Sequence, residues 1–230
     1  MDHVIFIPGL NCTDALFAPQ RQALGPRTTT VVADHAQDDT IEAIARRLLE
    51  AAPPEFALCG LSMGGYVALE VMRLAPERVS HLALLDTRAS PDTPEDADRR
   101  QRLIEHAEAG RLLNVHMVLW PRLVHPARVG DRQLEEIVKT MMADTGAQGF
   151  IRQQRAVLTR PDYRPSLPSI RCPTLIMVGE EDVITPPAMA SEMAEAIPKA
   201  QLIEIQTCGH LSTLEQPDAV TTALEALLAA

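Results

Sequence analysis

A short apolar run, Phe56 to Leu61, ends in Gly60-Leu61-Ser62-Met63-Gly64 and passes directly into a helical pattern from Met63 to Ala75 that Pro76 stops. An unbroken apolar run of this length fits a strand buried on both faces, as in a parallel sheet, rather than one face of a solvent-exposed hairpin. The helix that follows carries Val67, Leu69, Val71, Met72 and Leu74. A strand-to-helix turn this tight forces Ser62 into a strained, positive-φ conformation that lifts its hydroxyl clear of the backbone. Gly60 and Gly64 stand where a side chain would strike the neighbouring strand or helix. The pentapeptide alone is a weak signal, and its setting between a buried strand and a helix gives it force.

A serine hydroxyl becomes a strong nucleophile only beside a base, and the base needs a partner to fix its tautomer. The chain offers both downstream. Leu175 to Val178 is a second buried-strand run, and it empties into Gly179-Glu180-Glu181-Asp182. Ala200 to Ile205 is followed by Gln206-Thr207-Cys208-Gly209-His210, which puts His210 in a loop before the last helix. The order Ser62, Asp182, His210 places all three after parallel strands, where an open α/β sheet forms its site. Asp86 also ends an apolar strand, Leu82 to Leu85, and is the competing acid, although a loop-anchoring role suits it better.

With these loops in place the chain resembles the α/β-hydrolase superfamily, in particular small bacterial esterases and lactonases, along essentially its whole length. The resemblance implies a doubly wound, mostly parallel six-stranded sheet with a helical cap inserted after the fourth strand. The core is then residues 1–87 and 166–230, and the cap residues 88–165. It also implies that Ser62 attacks a small-molecule ester, lactone or enol-lactone to give an acyl-enzyme, with His210 as base and Asp182 as its partner. The oxyanion donors would be the backbone N–H groups of Leu10 and Met63. In this family the loop after the first strand usually begins His-Gly, whereas here it reads Pro8-Gly9-Leu10. Proline leaves those donors untouched but removes a side chain that often orders the loop. The same triad serves carbon–carbon bond hydrolases, thioesterases and cofactor-free perhydrolases, and the fold also hosts idle ligand-binding members. No cofactor or metal is implied.

Periodicity predicts strands near 3–8, 28–33, 56–61, 79–85, 173–179 and 200–205, with core helices near 41–52, 63–75, 186–197 and 212–229. Within the insert, Thr93-Pro94-Glu95-Asp96 supplies an N-cap, a proline at the first helical position and acids in the first turn. Further helices are expected near 111–119, 131–142 and 146–158. Met117, Leu119, Trp120, Leu123 and Phe150 are candidates for an apolar wall over the nucleophile. Trp120 precedes Pro121, where a helix should end. Arg88, Arg152 and Arg155 could meet a substrate carboxylate, and His116 and His125 are weaker candidates for substrate contact. The remaining histidines, His3, His35 and His81, suit local hydrogen bonds.

The net charge of −10 argues against nucleic acid or an anionic membrane surface as partner. The insert departs from that balance, with 13 Lys/Arg against 11 Asp/Glu. Cys12, Cys59, Cys172 and Cys208 lack metal-ligand spacing and read as small buried thiols in a reducing compartment. The first residues lack a basic, apolar leader pattern, so a cytoplasmic monomer or homodimer is the expectation.

Overall fold

The computed structural model describes residues 2–25 and 28–230. Its strands are β1 (Asp2–Ile7), β2 (Thr28–Val32), β3 (Phe56–Leu61), β4 (Val79–Leu85), β5 (Thr174–Gly179) and β6 (Ala200–Ile205). They form one sheet in the order β2-β1-β3-β4-β5-β6, with every neighbouring pair parallel. The expected "mostly parallel" sheet is thus parallel throughout. β3 and β5, near the middle, are buried at every position, whereas the edge strands β2 and β6 are largely half-buried or exposed. This is why the central strands read as unbroken apolar runs.

Alternate side chains feed two separate cores. Ile5, Ile7 and Leu58 pack with Ile41 and Ile44 of α2 (Ile41–Ala51), Val67 and Val71 of α3 (Met63–Leu74) and Met193 of α7 (Pro187–Ala196). Val4, Phe6 and Cys59 face the other way, toward Phe17 and toward Val220 and Leu224 of α9 (Pro217–Leu228). A helix absent from the sequence reading, α1 (Ala18–Leu24), lies beside α9. It is anchored by Gln20, fully buried, whose Nε2 donates to the Thr213 and Pro217 carbonyls. A one-residue interruption at Gln216 separates α9 from a single turn, α8 (Ser212–Glu215).

Between β4 and β5 the chain forms three helices, α4 (Pro94–Glu108), α5 (Leu112–Leu123) and α6 (Arg132–Leu158). Thr93 and Asp96 close a reciprocal capping box at the start of α4. Asp131 caps α6 by accepting from the Leu134 N–H at 3.0 Å. Gly146, at φ 66°, breaks α6 where the sequence places a boundary between two helices. Pro121 does not end α5, contrary to expectation. It sits in the last turn, where it removes only the bond to the carbonyl of residue 117, on the exposed side of the helix.

The insertion has its own small core of Leu103, Ile104, Ala107, Val115, Phe150 and Ile151. Phe150 is completely buried there. Phe150→Ala should therefore cost about 3–5 kcal/mol in a urea unfolding titration. A loss below about 1 kcal/mol would mean that the three helices do not depend on this contact.

Candidate active site

Three loops meet at the carboxyl ends of β3, β5 and β6. In the first, Ser62 adopts φ 54° and ψ −114°, a conformation that side-chain-bearing residues rarely occupy. The strain is held from outside. The Ser62 N–H donates to the Leu85 carbonyl at 2.9 Å, and the Thr87 hydroxyl donates to the Ser62 carbonyl at 2.8 Å. A Cβ on Gly64 would collide with the Ile7 carbonyl, so this residue has to be glycine for α3 to approach β1.

His210 Nε2 lies 2.9 Å from Ser62 Oγ, and His210 Nδ1 lies 2.7 Å from Asp182 Oδ2. Asp182 also accepts from the Thr185 hydroxyl at 2.7 Å and from the N–H groups of Ile184 and Thr185 at 2.8 and 3.0 Å. Burial pushes the Asp182 carboxyl up, but the charge and hydrogen bond of His210, with the Thr185 donors, outweigh it and hold the group below the usual carboxylate range. Burial likewise opposes a charged imidazole at His210. The Asp182 carboxylate overcomes that cost and raises His210 above the ordinary histidine value. This arrangement can take a proton from Ser62 and stabilise the imidazolium that results.

Asp86 is fully buried at positive φ, but it does not reach the imidazole as a hydrogen-bond partner. Its carboxyl instead accepts from the Gly179 N–H at 3.0 Å and the Ser212 hydroxyl at 2.5 Å, tying the ends of β4 and β5 to the turn after His210. Burial, and then the Asp182 charge, raise it above the carboxylate range.

The loop after β1 brings Leu10 to the same cleft as Ser62 and Met63. Among the described residues neither the Leu10 nor the Met63 N–H has a backbone acceptor, and Met63 is the first residue of α3, where no intrahelical acceptor exists. With Pro8 in place of histidine, the loop is braced from elsewhere. His35 Nε2 lies 3.0 Å from the Gly9 carbonyl, and Gln153 of α6 accepts from the Asn11 N–H at 2.8 Å. Both braces are buried, and Gln153 was not singled out in the sequence. Burial lowers His35 below the ordinary histidine value.

The histidine loop is tied to the insertion as well. The His210 N–H donates to the Leu123 carbonyl at 3.0 Å. Buried Glu215 accepts from the N–H groups of Gly209, Leu211 and His125. A Cβ on Gly209 would strike the backbone of Val124 and His125.

Of the side chains expected at the site, Leu119 and Leu123 line the cleft. The other four are placed elsewhere. Phe150 is consumed by the insertion's own core, and Met117 is 67% exposed. Arg88 is paired with Asp92 and Asp96 at 2.7 and 2.9 Å. Trp120 is buried with Val124, Leu134 and Val138, and its indole N–H donates to the Val129 carbonyl at 2.9 Å. It stacks on His116, which does line the cleft and pairs with Glu135. His125 caps the Ala127 N–H, Arg152 donates to the Ala36 carbonyl, and Arg155 pairs with Glu108. Cys12 borders the cleft, but burial pushes its thiol up to about 12. Among the described residues no three His, Cys, Asp or Glu gather as metal ligands, and no helix is long and apolar enough to cross a membrane.

A parallel sheet with this strand order and a serine–histidine–aspartate chain at its carboxyl edge defines an α/β hydrolase. Residues 4–223 match the alpha/beta hydrolase family, and the chain belongs to it. A thermophilic esterase from Thermogutta terrifontis, determined with malate bound, matches all of this chain and 90% of its own at 30% identity, with a TM-score of 0.91. The enol-lactonase of Burkholderia xenovorans LB400 gives a TM-score of 0.89 at 23% identity, over 100% of this chain and 92% of its own. By sequence, a Mycobacterium tuberculosis protein named for non-heme bromoperoxidase activity, BpoC, is 32% identical across 88% of this chain and 75% of its own.

His210 and His35, both buried, should separate in an NMR titration. His210 should titrate above the ordinary value of about 6.5 and His35 below it. Asp182→Asn should move His210 downward, because it removes the charge that favours imidazolium. A His210 value unmoved by that substitution would break the assigned pairing.

Proposed function

We propose that this hydrolase cleaves small carboxylic esters or lactones, enol-lactones included, through an acyl-enzyme on Ser62. The observation that carries the reading is the continuous hydrogen-bonded chain from Ser62 Oγ through His210 to Asp182. His210 takes the serine proton as the hydroxyl attacks the carbonyl, while Asp182 fixes the tautomer and stabilises the cation. The N–H groups of Leu10 and Met63 receive the oxyanion, the latter at the positive end of α3. His210 then returns its proton to the leaving alkoxide and activates the water that releases the acid. Residues 88–165 act as a cap whose inward side chains, Leu103, Leu119 and Leu123 among them, exclude water and sort substrates. Relatives named as an esterase and an enol-lactonase support the same substrate class.

A fluorophosphonate probe should label the native protein and leave Ser62→Ala unlabelled. On a panel of short acyl esters and lactones, Ser62→Ala should lose at least about a thousandfold in kcat. Retention of a tenth of the activity would move the nucleophile elsewhere.

Asp182→Asn should cost about ten-thousandfold in kcat, far more than Asp86→Asn, since only Asp182 sets the imidazole tautomer. The reverse ranking would transfer the acid to the end of β4.

A further inference from the structure

The cleft that holds Ser62 is lined by three arginines, Arg99, Arg100 and Arg122, and by no described aspartate or glutamate, in a chain of net charge −10. Two of these guanidinium groups are already matched. Arg99 pairs with Asp96, and Arg100 Nε lies 2.7 Å from Asp92. Arg122, in the last turn of α5, is half-buried and has no hydrogen bond or ion pair with any described residue. A guanidinium left without a counter-charge in a sheltered cleft is an anion-binding group in waiting, because its planar fork matches a carboxylate at two points.

A second observation points to a ligand independently. Gln154 of α6 lines the same cleft and is fully buried, yet its Nε2 has no partner. Its amide cannot be turned to remedy this. The Oε1 accepts from Arg100 Nη1 at 2.9 Å, so a flip would set donor against donor. An orphaned buried donor is costly, and an acceptor atom of a bound substrate would satisfy it.

We infer that the insertion side of the cleft is a carboxylate-recognition subsite, and that the preferred substrates are esters or lactones bearing a free carboxylate. Arg122 supplies the counter-charge, and Gln154 Nε2 donates to a further substrate oxygen. The inference rests on Ser62 hydrolysing the ester, and it adds the charge of the molecule that arrives there. The surrounding protein makes the choice meaningful: an overall charge of −10 repels anions, so only a local positive field favours them.

The test compares monomethyl half-esters of linear dicarboxylic acids, from malonate to suberate, with their dimethyl esters. The readout is the ratio of kcat/KM, half-ester to diester, at the best chain length. The native enzyme should favour the half-ester by about tenfold to hundredfold, the value of one charge-assisted contact. Arg122→Met should bring the ratio close to one, and Arg122→Lys should restore part of it. Arg155→Met, which removes a surface arginine paired with Glu108, should leave the ratio intact. A native preference for the diester, or an equal loss on both esters in Arg122→Met, would overturn the inference while leaving the serine hydrolase standing. If neither ester is cleaved, the hydrolase reading fails instead. Calorimetric titration with the free dicarboxylates then decides the subsite, which requires binding by the native protein that Arg122→Met loses. Absence of binding to the native protein would overturn it.

Discussion

The Ser62 backbone sits in a region that residues with side chains avoid, and the architecture around it is arranged so that it has no alternative. Local strain of about 1–3 kcal/mol persists only where neighbours over-determine the conformation. Here β4 and the turn just past it do so, the strand by accepting the Ser62 N–H at Leu85 and the turn by sending the Thr87 hydroxyl back to the Ser62 carbonyl. The order β1-β3-β4 is what brings those groups alongside. Gly64 then lets α3 start against β1, with the Met63 N–H lacking a backbone acceptor among the described residues and the serine hydroxyl aimed at His210. The Asp182 and His210 loops answer the same constraint, since each follows a strand whose carboxyl end lies on the same edge.

Much of this was legible in the sequence. The strands agree to within about a residue, the central ones because a strand buried on both faces leaves a continuous apolar run. Ser62 and Asp182 each follow such a run, His210 follows the half-exposed edge strand β6, and the structure joins the three in one hydrogen-bonded chain. The helix α1 was not legible. It is short, and it is held by Gln20 reaching carbonyls almost two hundred positions away, a contact no local pattern records.

The insertion was legible as helices but not as a lining. A helical period marks an apolar face without saying which neighbour that face meets. Phe150 turns to α4 and α5, and Trp120 to Val124, Leu134 and Val138, while Met117 meets solvent. Arginines pose the harder problem, since Arg88 and Arg122 look alike in a string of letters. What separates them is whether an aspartate stands within reach: Arg88 has two, and Arg122 has none among the described residues. The brace on the Pro8 loop was hidden for a related reason. His35 and Gln153 are 118 positions apart, and only the fold brings both to Gly9-Leu10-Asn11.

The insertion grips two of the loops around the site, the one after β1 through Gln153 and the histidine loop through Leu123 and His125. A hinged cover would need to release both grips to open, and the groups at Leu10 and His210 would drift as it did. These contacts make the helices part of the frame that holds both loops. For protein engineering the consequence is that the insertion is not an exchangeable module. A segment transplanted from a relative would arrive with its own lining, but the loop after β1 and the His210 loop would lose the supports they have here unless those polar contacts travelled with it.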